Sequence, residues 1–369
     1  MKIEIKKLPL PKDSEEEKKL RLEKDLKLII KSCFNEFDNI KSIILYGGYG
    51  RGEGSWIQSN GEWFPYNDYD IVVVVAKKIP KKRIQRLRKE LAKKININWI
   101  DLSQKSPLRL LLMQKSIYTY DLKKASTVIW GDEKVKNLIP SISRSKLPSY
   151  EIVTLFFTRL WPFIGGVHRS SFKSGLQGEA SRFFRNQMAK AVLATVDVQL
   201  LMKNAYMPSY IKRVHASLNY FKSSEVKIVK WALNEKLEPK QKRMSGEEVI
   251  EMYDSVHLLY SKVMLKGLSF HFGKDIQDYA CIKKQYSKSR NLSILRLLHL
   301  IKGTISTYDK ETKINLCQAY LFFSYVGNND FDFKILDHAI KEINELPSTK
   351  LVHDWYSAAD YISQMRNNI

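Results

Sequence analysis

Residues 43–56, IILYGGYGRGEGSW, and residues 67–75, NDYDIVVVV, decide the reading of this chain, with a short aromatic insert between them. The first apolar run ends in Gly47 and Gly48, and the second begins at Asp68 and Asp70. Alternation along a strand sends residues i and i+2 to one face, so the two carboxylates project together. Such a pair repels itself unless a cation lies between its members. Hard oxygen ligands suit Mg²⁺, which is usually held by one or two carboxylates plus substrate phosphates. Glycines that follow a strand let backbone N–H groups approach phosphate closely. Together the two halves read as a metal-dependent phosphate site.

Outward from this stretch, the spacing predicts strands at 41–46, 69–75, 97–102 and 126–130. The unbroken valine run suggests a central strand buried on both faces. Helices are expected at 14–37, opened by a Ser14/Glu17 capping box, at 80–95 and at 107–118. Beyond about Pro148 no strands are expected. Helical patterns follow at 149–164, 178–204, 208–221, 223–236 and 246–268, with several more to the end. The Ser- and Pro-rich segment IPSISRSKLPS marks a domain boundary near 140–150. The expected layout is α+β: a domain over 1–145, then an all-helical domain over 146–369, with a further division near 240.

A formal charge of +23 over 369 residues favours polyanionic partners, whether nucleotides, nucleic acid or anionic surfaces. It equally describes a lysine-rich protein with a solvated surface. Cys33, Cys281 and Cys317 lie far apart, which argues against a zinc site or a disulfide framework and fits a reducing cytoplasm. The first twenty residues lack an apolar signal-peptide core, and no apolar run reaches membrane-spanning length, so no membrane insertion is expected. The seven histidines show no metal-ligand spacing.

The glycine turn and the Asp-x-Asp pair resemble those of the polymerase-beta-like nucleotidyltransferase superfamily, especially its small bacterial and archaeal members. The matching positions are Gly47, Gly48, Arg51, Gly52, Glu53, Asp68, Asp70 and Asp101. The resemblance is specific over about 40–131. It is looser over KAVLATVDVQLL (190–201) and YMPSYIKR (206–213), and it ends near residue 240. It implies a mixed sheet with flanking helices, and transfer of a nucleoside monophosphate from an NTP such as ATP, with release of pyrophosphate. Asp68, Asp70 and Asp101 would be the catalytic metal ligands for Mg²⁺ or Mn²⁺. Gly47 and Gly48 would contact the triphosphate. Arg51 would either pair with phosphate or brace Glu53 or an aspartate, and Glu53 would orient Arg51. Relatives often hold the triphosphate with a lysine from the first helices of the helical domain. Lys190, which shares a helix face with Asp197, fits that place or that of a structural ion pair.

The chain departs from the family in SWIQSNGEWFPYN (55–67), longer than in most relatives. Asn60-Gly61 predicts a hairpin there. Its aromatics either cover the site as a lid or stacking platform, or pack onto the domain. Segment 77–94 carries ten Lys or Arg and one Glu, as a phosphate-backbone track or a solvated basic helix. The acceptor is open between a small molecule, a protein side chain and an RNA end. Small-molecule transfer fits a modest α/β core walled by a helical domain; RNA transfer fits the charge, but no recognisable RNA-binding module is present. A non-catalytic nucleotide- or RNA-binding protein on the same scaffold is the alternative.

Overall fold

The computed structural model describes residues 4–11, 14–301, 303–346 and 351–367. The first three residues and 12–13 of the N-terminal stretch lie outside this set. The chain forms two compact units. The first comprises Met1–Pro148 with Asn204–Ala216 and Leu233–Lys240. The second comprises Ser149–Lys203, Ser217–Ala232 and Gln241–Ile369.

The first unit opens with α1 (Glu16–Glu36), then β1 (Ile40–Tyr46) and the single helical turn α2 (Gly47–Gly50). The hairpin β2 (Trp56–Ser59) and β3 (Glu62–Pro65) follows, then β4 (Tyr69–Val75), α3 (Lys81–Ile95) and β5 (Ile100–Lys105). α4 (Pro107–Leu111), α5 (Ile117–Lys124) and β6 (Thr127–Gly131) complete the series. Four strands make one mixed sheet in the order β5-β4-β1-β6. β4 runs parallel to β5 and antiparallel to β1, which is antiparallel to β6. β4 is central, as its valine run requires. Ile71, Val73 and Val75 join Leu26, Ile30, Leu87 and Leu91 in one core, while Val72 and Val74 join Ile44, Leu110, Leu122 and Val128 in another.

Three local expectations are corrected. α1 begins without the Ser14/Glu17 box: its N-cap is Glu15, with no side-chain cap bond. The third strand starts at Ile100 rather than 97. Asn96 adopts the left-handed conformation that closes α3, and the Ile97 N–H returns to the Ala92 carbonyl, so these residues end a helix instead of starting a strand. The helix expected over 107–118 is two. Ser106 caps α4, and Ser116 starts α5 by accepting the Thr119 N–H.

The second unit contains α6 (Tyr150–Thr158), α7 (Trp161–Ile164), α8 (Arg169–Ser174) and α9 (Gly178–Met202). Pro162 in the first turn of α7 marks the break in the expected 149–164 helix. α10 (Tyr210–Ser217) up to Ala216 and the end of α11 (Ser223–Leu237) from Leu233 onward belong to the first unit; the second unit continues with the earlier part of α11, then α12 (Gly246–Phe272), α13 (Tyr279–Asn291), α14 (Ile294–Ile301) and α15 (Ile305–Ser324). The two-stranded hairpin β7 (Tyr325–Gly327) and β8 (Asp330–Phe331) follows, then α16 (Phe333–Asn344) and α17 (Trp355–Asn367). That hairpin corrects the expectation of an all-helical second part. The Ser245/Glu248 capping box opens α12, the longest helix, and left-handed Gly273 closes it. The α9 stripe Ala189, Val192, Val196 and Leu200 is fully buried. Gly267 of α12 is required by close approach. A Cβ there would lie 2.6 Å from Val198 and 2.9 Å from Ile152. No helix among the described residues is long and apolar enough to cross a membrane.

Candidate active site

Sheet register brings three strands' functional groups into one row. Tyr46 of β1 pairs with Asp70 of β4, and Asp70 pairs with Asp101 of β5. Ile100 and Leu102 are buried on the other face, so alternation turns Asp101 to the side of Asp70. Asp68 precedes β4 with the same parity. Burial first, then the negative charges of Asp68 and Asp101, push the Asp70 carboxyl up to about 8, with Lys236 and Arg51 acting the other way. Gly47 sits over this carboxylate in a left-handed conformation (φ +63°), and a Cβ there would lie 1.8 Å from Asp70 Oδ2. Any other residue at 47 would displace Asp70 or strain the turn.

Asp101 is held from two sides. Tyr46 Oη donates to its Oδ2 at 3.0 Å, and Arg88 of α3 pairs with its Oδ1 at 3.2 Å. Burial and the charges of Asp70 and Asp101 raise the Tyr46 phenol far above its ordinary value, so it stays a donor. Among the described residues, no group of three His, Cys, Asp or Glu is placed to hold a metal ion. The guanidinium of Arg88 occupies Asp101. The donor set still suits a hard cation. Asp68 and Asp70 offer oxygens only, and Asp70 is held protonated by burial and then by the like charges beside it, a repulsion that a dication would relieve.

The glycine turn has a second function within the first unit. Glu53 is buried and accepts from Arg51 Nε (3.0 Å), Ser209 Oγ (2.5 Å), the Tyr210 N–H (2.8 Å) and the Ile211 N–H (3.3 Å). It thus closes the start of α10, a segment far away in sequence. Arg51 lies 4.4 Å over the Tyr210 ring and is almost wholly buried. In these contacts Arg51 pairs with Glu53. Gly54 meets the Tyr49 ring so closely that a Cβ would lie 2.1 Å from it. Tyr49 Oη in turn donates to the Ser55 carbonyl at 2.5 Å.

The insert is the predicted hairpin. Asn60 and Gly61, both at positive φ, link β2 to β3 in the register Ser59↔Glu62. Trp56 is buried edge-on against Tyr49, Lys18 lies 3.8 Å over Trp63, and Arg21 lies 5.1 Å over Phe64. The aromatics pack onto α1 and the turn rather than standing free as a platform. In α3, Arg83 and Arg86 pair with Glu36, and Arg88 with Asp101, so three of the ten cations of the basic run are paired.

Lys236 was not legible in the sequence. It is buried in the first unit at the end of α11, its Nζ donates to Ser55 Oγ at 3.3 Å, and its charge acts on Asp70. No motif marks it, because only the fold returns residues 233–240 to the glycine turn. Lys190 stands half-buried on α9 of the second unit.

No family model and no curated protein matches this chain. The solved structures that it is similar to include three nucleotide- or toxin-related ones. One is spectinomycin adenyltransferase from Enterococcus faecialis with ATP and spectinomycin, at 12% identity and TM-score 0.41, covering 65% of this chain and 97% of that one. Another is a toxin–antitoxin with AMP-PNP, at 19% identity and TM-score 0.23, covering 31% and 78%. The third is a mutant of the MntA-HpeT toxin–antitoxin, at 17% identity and TM-score 0.22, with the same coverage.

Proposed function

We propose that this protein transfers a nucleoside monophosphate from an NTP to an acceptor, releasing pyrophosphate, with Asp68, Asp70 and Asp101 as the catalytic carboxylates. The observation that carries this reading is Asp70: a desolvated carboxyl in register with Asp101, beside Asp68 and against a glycine that leaves room for no side chain. The three carboxylates would hold Mg²⁺ or Mn²⁺, which when bound neutralises charge on the reacting phosphates and leaving pyrophosphate. Asp70 keeps a proton near neutral pH and has to release it to become a ligand. Tyr46 and Arg88 orient Asp101. Gly47 and Gly48 are assigned to the triphosphate, Lys236 to balancing charge beside Asp70, and Lys190 to the triphosphate by resemblance. The acceptor is a small molecule, a protein side chain or an RNA end.

One contact favours a second reading, non-catalytic nucleotide binding on this scaffold: the Arg88 guanidinium already occupies Asp101. Incubation with each α-labelled NTP and Mg²⁺, with and without cellular RNA and a small-molecule extract, separates the two. Transfer is expected in the wild type and lost in Asp68→Ala and Asp70→Ala. Metal-dependent binding without label transfer selects the second reading. No metal-dependent binding of any ribonucleotide in calorimetry sinks both.

A further inference from the structure

A basic groove lies in the first unit, lined by residues outside the carboxylate row. Two adjoining clefts, of about 750 and 370 Å³, share Lys7, Ser126 and Thr127 in their walls. Lys124 and Lys212 line the larger, Lys123 and Lys136 the smaller, and Glu133 is the one carboxylate in either among the described residues. None of these five lysines forms an ion pair with a described carboxylate, in contrast to the arginines of α3.

Two of the ammoniums are fixed in place. Lys123 Nζ donates to the Lys136 carbonyl at 2.6 Å, and Lys136 Nζ donates to the Ser126 carbonyl at 2.7 Å. Burial, then the charges of Lys123 and Lys7, lower the Lys136 proton affinity, and burial with Lys124 does the same for Lys123. Glu133 offsets part of this at Lys136, and the remaining like charges are stabilised by an incoming anion.

We propose that this groove binds the phosphodiester backbone of single-stranded nucleic acid. Cations recessed in two adjoining clefts suit a strand, whereas a bilayer presents a flat surface. The groove reads charge more than sugar, because its serine and threonine hydroxyls donate inward. Ser126 Oγ donates to the Leu122 carbonyl, Thr127 Oγ1 to the Gly50 carbonyl and Ser209 Oγ to Glu53. RNA and DNA strands should therefore bind about equally. The inference stands apart from nucleotidyl transfer, since it uses none of the carboxylates.

The test is fluorescence anisotropy against labelled single-stranded RNA and DNA of about twelve nucleotides, with phosphatidylserine vesicles in parallel. The variant Lys7→Glu/Lys124→Glu/Lys212→Glu changes three exposed lysines. The control Lys81→Glu/Lys82→Glu/Lys89→Glu on α3 makes the same change in net charge. The groove variant is expected to weaken both strands tenfold or more, and to reduce the slope of log K against log salt by ~2, at ~0.7 per lysine contact. The control should lose less than about threefold. The Lys→Gln version of the groove triple should weaken binding in the same order but less. Equal loss in the two Glu triples overturns the proposal, because whole-molecule charge then suffices. So does the absence of strand binding by the wild type, or a loss confined to the vesicles.

Discussion

Replacing Asp70 by Asn keeps the shape of the side chain and removes a charge that the fold disfavours. Folding raises this carboxyl from 3.8 to about 8, by burial and then by Asp68 and Asp101. Below 3.8 the group is protonated in both states and carries no penalty. Between 3.8 and about 8 the unfolded chain gives up the proton while the folded one retains it, so stability falls as pH rises; above about 8 the full penalty stands. At ~1.4 kcal/mol per tenfold change in proton affinity, the ceiling is ~6 kcal/mol. Solvent reaching the partly exposed carboxyl reduces this to ~2 kcal/mol. In EDTA, the melting temperature of the Asn variant should exceed the wild type's by little at pH 5 and by ~4–8 °C at pH 9. Mg²⁺ should stabilise the wild type at pH 9 and leave the variant unchanged. A melting-temperature difference that is the same at pH 5 and pH 9 would refute the reasoning, since Asp70 would then not titrate in that window.

Arg88→Gln frees Asp101 from its ion pair and should lower the Mg²⁺ concentration for half-maximal NTP binding by about threefold to tenfold, at ~1 kcal/mol for the pair; an unchanged midpoint removes Arg88 as a competitor for the site. Glu53→Ala leaves the Arg51 cation buried and the start of α10 open, and should cost about 3–5 kcal/mol in denaturant unfolding. A loss under about 1 kcal/mol would show that the brace carries little. Lys190→Ala should raise the KM for NTP more than it lowers kcat, and an unchanged KM takes Lys190 out of the triphosphate site.

The legible part of this protein lies in short-range pattern. The unbroken apolar run in 69–75 appears as β4 with the expected ends, because a valine run between polar flanks has few other ways to bury itself. Asn60-Gly61 specifies its own turn, since both residues tolerate positive φ. Boundaries set by capping competition were less legible. Asn96 took Ile97 into a helix end, and Ser116 split a helix that apolar spacing alone would join. Asp101 could be named as a candidate from its apolar neighbours, but not its hold by Arg88, thirteen residues back on another element.

Gly47, Gly48 and the Asp68/Asp70 pair were set by sequence alone, because steric freedom at glycine and alternation along a strand are properties of adjacent residues. Tertiary structure alone decided which charges surround Asp70. Strand register placed Asp101 beside it, α3 supplied Arg88 to Asp101, and the return of residues 204–216 and 233–240 brought Glu53 its helix start and Asp70 its lysine. Electrostatic environment depends on distance through space and on exclusion of water, and neither is written in the order of the residues.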